Sequence, residues 1–582
     1  MSISTFSSKT YNLGDLLNLI KLGNIALPDL QRPYVWEQSK ARDLFDSLFK
    51  GLPVGYILLW EIDSSVSHHT IGTEAKKLDP RFLVIDGQQR LTSLYAVIYG
   101  MKIKDKTFKE RNIAVSFNPL TGEFEISNAA IARNHDWIPN ISELFGADSE
   151  YHFTSDYLQR LGEKREVCKA DEIKISDNIS RLKSILNYDL SVLELMPDLE
   201  PDLVADIFVR INSKGVELKQ SDFILTLMSV HWKAGREELG DFCEAAKTIP
   251  EFESSSPFNY LIKPQPEHIV RTAIGYAFLR GRMRYAYLIL QGKDLESHEI
   301  SEGLRLKNLA QFQEAQSIAL DLTNWHDFIR IIQTTGFAND GMLTSKTAFF
   351  VTYSFYLLGK LKFKVPHKNL ESIIRRWFLF SILTSRYTGS PESAIEQDLV
   401  NFRDSSADFV TILAEIIDTS LTNDYWNITL PQALVSSSSL NNVYVCYLAA
   451  QNILDMYVPF SESKLRQVLQ EVNELKHKKV PIDKHHLFPK AYLERNGITS
   501  VTEQNQVANY IYLEYKDNIQ ISDNPPTEYW SELISGYETN KVRQIMEENA
   551  IPENFPEMEY GEFLTARRKL MAQKIKDAFS RL

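Results

Sequence analysis

Cysteine is scarce in this chain. Three residues, Cys168, Cys243 and Cys446, are spread over 582 positions in no pair spacing. A disulfide framework and a cysteine-based zinc ribbon are therefore excluded, and a reducing cytoplasm fits best. No apolar run approaches the roughly 20 residues that span a bilayer, and the first residues lack the charged-then-apolar pattern of a signal peptide. The sequence thus predicts a cytoplasmic protein with no membrane partner.

The chain also lacks an excess of positive charge. Lys and Arg number 64 against 76 Asp and Glu, a formal net charge of −12. This balance argues against a general nucleic-acid binder, so such a role requires a local basic site. Apolar residues make up 44% and charged residues 24%, which are ordinary values for a folded protein. The phosphate-binding pattern GxxxxGK[ST] is absent, which removes the ordinary P-loop route to a nucleotide.

The first hundred residues alternate helix and strand signals. Apolar spacing predicts a helix over 13–22, and Ser39 is predicted to cap the next one. Buried strands are predicted at 56–60 and 82–85, the second followed by a helix. A hairpin is predicted from the alternating runs 113–117 and 123–126. These signals predict a small α+β unit.

From about residue 175 the pattern becomes mainly helical. Long amphipathic segments follow one another, beginning with 175–196 and continuing to 440–456. The composition changes again near residue 470. The fold class predicted is α+β, with domains at 1–235, 236–470 and 471–582.

The densest polar motif lies in the last of these domains. Residues 481–490 read PIDKHHLFPK, followed by Asn509 and Asn518. The window 476–495 holds six basic and two acidic side chains, a local net charge of +4 on an acidic chain. Phosphate binding explains this contrast, with a solvated helix face as the alternative. The doublet His68-His69 lacks the following aliphatic-x-Pro and is interpreted as a solvated loop.

This C-terminal pattern resembles the ββα-metal nuclease finger, also called HNH. Phosphodiester hydrolysis needs a base that deprotonates water, and neutral imidazole does so at pH 7. The resemblance implies that His486 is the general base and that Asn509 either orients it or holds the loop. It further implies His485 and Asn518 as metal ligands, with Asp483 as an additional or substitute ligand. Mg²⁺ or Mn²⁺ is the expected metal, although imidazole at 485 also suits Ni²⁺ or Zn²⁺.

A second motif, FLVIDGQQR, places Asp86, Gly87, Gln88, Gln89 and Arg90 between a strand and a helix. A helix start attracts anions, Gly87 permits close backbone approach, and Arg90 supplies a bidentate phosphate donor. The alternative is an ordinary two-residue hairpin turn, but a helix and not a strand follows.

This motif and the upstream LPDLQRPYVW, residues 27–36, resemble the ParB/sulfiredoxin-like domain of GmrSD-type modification-dependent restriction proteins. The segments 207–223 and 375–399 match the fused, single-chain form of that family. The resemblance implies that residues 86–90 bind and hydrolyse a nucleoside triphosphate such as GTP or ATP. It implies that Gln31 and Arg32 face the nucleotide or sense DNA. Within 375–399, Arg386 and Tyr387 either reach a DNA backbone or, for Tyr387, belong to the core.

The predicted function is therefore a metal-dependent DNA endonuclease of phage defence, acting on modified phage DNA and coupled to nucleotide turnover. Two alternatives remain. One is a nucleotide-dependent DNA-binding regulator with a vestigial nuclease, and the other is a non-specific nicking or RNA-cleaving toxin. The sequence leaves the DNA modification, the nucleotide and the oligomeric state open, with a homo-oligomer among the possibilities.

Overall fold

The computed structural model describes most of the chain in two compact units, Met1–Lys233 and Ala234–Leu582. At residues 28, 68, 69, 104, 111, 471–474 and 483 it describes the backbone alone. The description covers 5–582 except 29–33, 35, 63–67, 70, 72–77, 79, 105–109, 198, 200–202, 205–206, 208–223, 226–227, 229–231, 251–254, 296, 298, 404–407, 475–481, 515–516 and 518–520.

The first unit contains a mixed six-stranded sheet in the order β1-β10-β3-β5-β2-β4. β5 lies between β3, to which it is antiparallel, and β2, to which it is parallel. The strands are β1 (Phe6–Asn12), β2 (Ile25–Pro28), β3 (Ile57–Glu61), β4 (His68–His69), β5 (Phe82–Asp86), β6 (Ile103–Lys104), β7 (Glu110–Arg111), β8 (Val115–Asn118), β9 (Glu123–Ile126) and β10 (Asp189–Leu195). The predicted α+β class is confirmed.

Both faces of β5 are buried, because its residues alternate between two cores. Phe82 and Val84 join the larger cluster, whereas Leu83 and Ile85 join a smaller cluster on the other face. The sequence of a strand that is buried on both faces is a continuous apolar run, and that of β5 has this form. The helices of the unit are α1 (Leu13–Leu22), α2 (Gln38–Phe49), α3 (Gln88–Tyr99), α4 (Ser142–Gly146), α5 (Glu150–Gly162) and α6 (Lys169–Lys183).

Three expectations for this unit are wrong. The predicted helix 175–196 ends at Lys183, and Asp189–Leu195 forms β10, because its buried residues recur with the period of two that suits a strand. Ser39 lies inside α2, which begins at Gln38 after Glu37, a residue of extended backbone. His68-His69 is not a loop, since its backbone pairs with β2 as β4.

The described part of the second unit is mainly helical and contains a hairpin, β11 (Ile482–His486) with β12 (Tyr510–Glu514). It contains both the predicted helical segment, 236–470, and the predicted nuclease segment, 471–582. Its helices are α7 (Lys233–Ala245), α8 (Pro266–Phe278), α9 (Met283–Leu290), α10 (Glu302–Leu320), α11 (Leu322–Thr334), α12 (Lys346–Leu357), α13 (His367–Leu383), α14 (Pro391–Val400), α15 (Phe409–Ser420), α16 (Leu430–Ala433), α17 (Asn442–Ile453), α18 (Leu465–Glu474), α19 (Lys490–Arg495), α20 (Val501–Gln504), α21 (Pro526–Ile534), α22 (Thr539–Glu548) and α23 (Tyr560–Ser580). No helix in the described part of the chain is both long and apolar enough to cross a lipid bilayer.

A buried carboxylate joins α13 to α14. Asp398 accepts hydrogen bonds from Nε of Arg386 at 2.9 Å and from the hydroxyl of Tyr387 at 2.8 Å, and its side chain is 1% exposed. Tyr387 is itself buried. The core alternative for Tyr387 is therefore correct, and Arg386, whose side chain is 21% exposed, is held by its ion pair with Asp398.

We expect Asp398→Asn to lower the free energy of unfolding by about 3–5 kcal/mol, because it leaves the guanidinium of Arg386 largely buried without its counter-ion. Tyr387→Phe should cost about 1 kcal/mol, the value of one buried hydrogen bond. Denaturant unfolding measures both. Lys50→Gln, which breaks an exposed pair with Asp46, is the control and should cost less than about 1 kcal/mol. If Asp398→Asn and Lys50→Gln lower the free energy of unfolding by the same amount, Asp398 and Arg386 do not form a buried ion pair of this strength.

Candidate functional site

The strand–turn–helix junction of the first unit is confirmed. Asp86 ends β5, Gly87 follows it, and α3 begins at Gln88. Gly87 has a φ of +93°, and a Cβ at this position would lie 2.4 Å from Cδ1 of Ile57. The positive φ therefore disfavours a side chain here, and a Cβ would also require the end of the Ile57 side chain to move. Gln88 is buried at the start of the helix.

Arg90 fastens this junction to the segment before β3. Its Nη2 donates to Oδ2 of Asp86 at 3.1 Å, and its Nη1 donates to the carbonyl of Val54 at 2.7 Å. Gly55 has a φ of +85°, and a Cβ there would lie 2.6 Å from Nη1 of Arg90. The guanidinium thus lies against two glycines while 18% of its side chain remains exposed. Arg90 lies on the first turn of α3, between strand and helix as predicted, but two of its donors are used within the protein.

Two described residues of the motif at 27–36, Tyr34 and Trp36, contact the beginning of α3. The amide N–H of Trp36 donates to Oε1 of Gln89 at 3.3 Å, and the hydroxyls of Tyr34 and Ser93 lie 2.7 Å apart. Burial raises the pKa of Tyr34. Because β2 runs parallel to β5, their carboxyl ends share the same edge. The predicted sensing residues Gln31 and Arg32 lie outside the described residues.

The hairpin of the second unit carries the histidine doublet. β11 and β12 are antiparallel, with His485 opposite Ile511 and His486 opposite Tyr510. Successive strand residues point to opposite faces, so the two imidazoles lie on different sides of the hairpin. The amide of Leu487 donates to the carbonyl of Asn509 at 2.9 Å and extends the pairing by one step.

Asn509 is completely buried and holds the backbone that leaves β11. Its Oδ1 accepts from the amide of Phe488 at 2.8 Å, and its Nδ2 donates to the carbonyl of Phe488 at 3.0 Å. A third bond joins Nδ2 to the carbonyl of Gln504 at 3.2 Å. Of the two roles left open by the sequence, this geometry is that of a residue that holds the loop. Asn509 was predicted as catalytic; the geometry makes it a positioning residue.

His486 is half-buried and neutral at pH 7. Burial is the largest cause of its low pKa of about 4, and the charges of Lys490, Lys484 and His485 lower the pKa further. Its Nε2 lies 3.0 Å from Oδ1 of Asn505, which partly offsets the shift. Since an amide oxygen only accepts, Nε2 carries the proton and Nδ1 keeps its lone pair. An edge contact with Tyr510, at 5.0 Å between ring centroids, fixes the imidazole plane.

The predicted metal ligands are described only in part. His485 is half-buried on β11, and Asp483 lies two residues before it on the same strand face. The side chain of Asp483 and the whole of Asn518 lie outside the described residues. Within the described part, no three His, Cys, Asp or Glu side chains group into a set that could hold a metal ion. The predicted ligands suit a divalent ion by their residue types, because they combine one imidazole with oxygen donors.

The local basic charge is partly neutralised. Arg495 donates to Oδ2 of Asp523 at 2.5 Å. Lys484 lies 4.2 Å from the ring centroid of Tyr510, and Lys490 is exposed at the start of α19. Lys484 and Lys490 are therefore the described basic residues next to His486.

Several residues that build this site carry no signal in the sequence. Asn505 contacts His486, the hydroxyl of Tyr529 donates to the carbonyl of Leu487 at 2.5 Å, and Nη1 of Arg567 donates to the carbonyl of Ala508 at 2.8 Å. These contacts span 19, 42 and 59 positions respectively. The sequence motif around His486 does not reveal these three residues, because their hydrogen bonds form only when parts of the chain that are distant in sequence pack together.

The low pKa of His486 predicts a pH-dependent stability. The unfolded chain binds a proton at this residue below about pH 6.5, whereas the folded chain does so only near pH 4. The contribution of His486 to the free energy of unfolding is therefore fully present above pH 6.5, and it is lost as the pH falls towards 4. Denaturant unfolding between pH 4 and 7 should show a shallower pH slope for His486→Ala than for wild type. Equal slopes, or an NMR titration of His486 near pH 6.5, would contradict the burial argument.

Comparison with known proteins gives two findings. Residues 13–229 match a family model described as GmrSD restriction endonuclease, N-terminal domain, and this range contains the junction at 86–90. An uncharacterized protein of Methanocaldococcus jannaschii is 24% identical over 630 aligned positions, which cover 99% of this chain and 100% of the relative. The first unit is accordingly similar to the N-terminal domain of GmrSD restriction endonucleases.

Proposed function

We propose that the protein is a cytoplasmic, modification-dependent DNA endonuclease of phage defence, whose C-terminal hairpin cuts the phosphodiester backbone. The observation that carries this proposal is the neutral, oriented imidazole of His486 on a loop held by Asn509. The similarity of residues 13–229 to a restriction-endonuclease domain supports it independently. DNA bearing a modified base or backbone, of a kind that no residue identifies, is the proposed substrate.

His486 is the general base of the proposed reaction. With Nε2 bound to Asn505, its Nδ1 accepts a proton from the attacking water. A base whose pKa is about 4 is wholly unprotonated at pH 7, so the fraction in the active form is not limiting. The half-buried ring beside Tyr510 keeps one orientation, which reduces the cost of reaching a reactive arrangement.

Asn509 and Tyr529 position this base through the backbone. Asn509 bonds both polar groups of Phe488, and Tyr529 bonds the carbonyl of Leu487. The two residues that directly follow His486 are therefore fixed to buried side chains. The base is placed by a rigid loop, as an effective catalytic group requires.

A divalent cation, Mg²⁺ or Mn²⁺, is proposed as the cofactor of this HNH-like centre. His485 and Asn518 would hold it, with Asp483 as a further ligand. When bound, it would neutralise the scissile phosphate and the departing 3′ oxygen. Lys484 and Lys490 add positive charge beside His486, where a DNA backbone would approach.

The first unit is proposed to bind and hydrolyse a nucleoside triphosphate at the β5–α3 junction. The start of α3 favours a phosphate through its dipole and the backbone N–H groups of its first turn. Arg90 is anchored by Asp86 and Val54, so its remaining donors have a fixed direction. Gln31 and Arg32 are proposed to sense the nucleotide or the DNA. Turnover at this site would gate cleavage.

We expect His486→Ala to reduce cleavage of modified phage DNA by about 10²–10⁴-fold, because the base that activates water is lost. Linear modified and unmodified DNA are incubated with Mg²⁺ or Mn²⁺, with and without each nucleotide, and products are resolved on gels. His367→Ala, at an exposed histidine of α13, is the control and should cleave like wild type.

The outcomes of this assay separate the candidate functions. Cleavage confined to modified DNA supports the proposal, whereas equal nicking of both substrates supports an indiscriminate nuclease. Binding without any cleavage supports a regulator. Full activity of a purified His486→Ala protein would disprove the assignment of the base.

Arg90→Lys tests the nucleotide site. Lysine keeps the charge but cannot bond Asp86, Val54 and a phosphate in the fixed fork of a guanidinium, so nucleotide hydrolysis should fall at least about tenfold. Phosphate release measures turnover, and thermal unfolding checks the fold. Arg42→Lys, at an exposed arginine paired with Asp43, is the matched control. Unchanged turnover in Arg90→Lys and in Arg90→Ala would remove the phosphate role.

A further inference from the structure

A cleft of about 290 Å³, its opening to solvent included, lies beside β12 in the second unit. Helices α17 and α23 form its walls with β12. Three of the described lining side chains are hydroxyl or amide groups of α17, and one is a guanidinium of α23. These four residues are Tyr444, Tyr447, Gln451 and Arg567.

Arg567 is a buried cation without a carboxylate partner in the described part of the chain. Its side chain is 1% exposed, and the ionisable groups that act on it are Tyr447, Tyr444 and Tyr529. Nη1 donates to the carbonyl of Ala508 at 2.8 Å and Nη2 to that of Asn549 at 3.4 Å, whereas Nε has no partner among the described residues. Arginine stays protonated even when burial lowers its pKa, so the positive charge is met only by carbonyl oxygens and by the ring of Phe563, 5.9 Å away, among the described residues. Such a charge is costly unless an anion neutralises it.

The rest of the wall offers donors and no negative charge among the residues described. Arg567 is the one charged side chain there. The hydroxyl of Tyr444 makes no hydrogen bond that the described residues account for, and the amide of Gln451 makes a long one of 3.4 Å to Asn549. A guanidinium with hydroxyl and amide donors is the chemistry that binds oxyanions in proteins.

We propose that this cleft binds a small tetrahedral oxyanion of the phosphate class, with Arg567 as its counter-ion and Tyr444 as a hydrogen-bond donor. The space enclosed by this cleft is much too small for a drug-sized ligand, so a whole nucleoside is excluded. The site is separate from the β5–α3 junction, which belongs to the first unit. Its occupation requires neither the metal ion nor cleavage.

Calorimetric titration of the full chain with inorganic phosphate, in chelator and at constant ionic strength set by chloride, tests the proposal. A binding component should appear in wild type and disappear in Arg567→Met. Tyr444→Phe keeps the buried ring and loses one donor, so affinity for this component should fall about fivefold. Tyr353→Phe removes a buried hydroxyl that bonds Ala319 elsewhere, and it should leave the component unchanged.

Competition with a short oligonucleotide identifies the source of the oxyanion. Displacement of phosphate by a 5′-phosphorylated strand, but not by its 5′-hydroxyl counterpart, assigns the cleft to a nucleic-acid end. Failure of both to compete assigns it to free phosphate, and either result supports the site. Phosphate binding that is equal in wild type and in folded Tyr444→Phe, or absent from wild type, would overturn it and leave Arg567 as an internal clamp of two carbonyls.

Discussion

The hydrogen bonds between the amide of Asn509 and the backbone of Phe488 are the constraint on which the C-terminal site depends. They fix the chain at the point where it leaves β11, directly after His486. Because Asn509 is completely buried, these bonds are shielded from water and keep their full strength. The imidazole of His486, with its contact to Asn505 and its edge contact with Tyr510, lies directly before this fixed turn.

The first unit uses the same device with a different residue. There a guanidinium rather than an amide joins a strand end to a neighbouring segment, since Arg90 bonds both Asp86 and the carbonyl of Val54. Gly55 and Gly87 make room for it through backbone conformations that side chains disfavour. In both units, a polar side chain thus holds the backbone next to the end of a strand.

Short-range patterns in the sequence predicted the elements that such patterns determine. α1 begins and ends where its apolar spacing does, and the Asp86-Gly87 turn precedes a helix as expected. The strand β10 was predicted as the end of a helix although its buried residues recur with a period of two; its neighbours in the sheet, β1 and β3, lie far away in sequence. Asn505 and Arg567 were missed because their partners also lie far from them in sequence. Their partners are chosen by packing, which short-range periodicity does not encode.

The bond from Arg567 to Ala508 also sets an order of assembly. It closes a loop of 59 residues around the turn that carries Asn509, and its donor lies in the helix that follows everything else in the site. During synthesis the hairpin residues leave the ribosome well before residue 567 has been made. The turn is therefore completed only late, after α23 has been made and has packed against it.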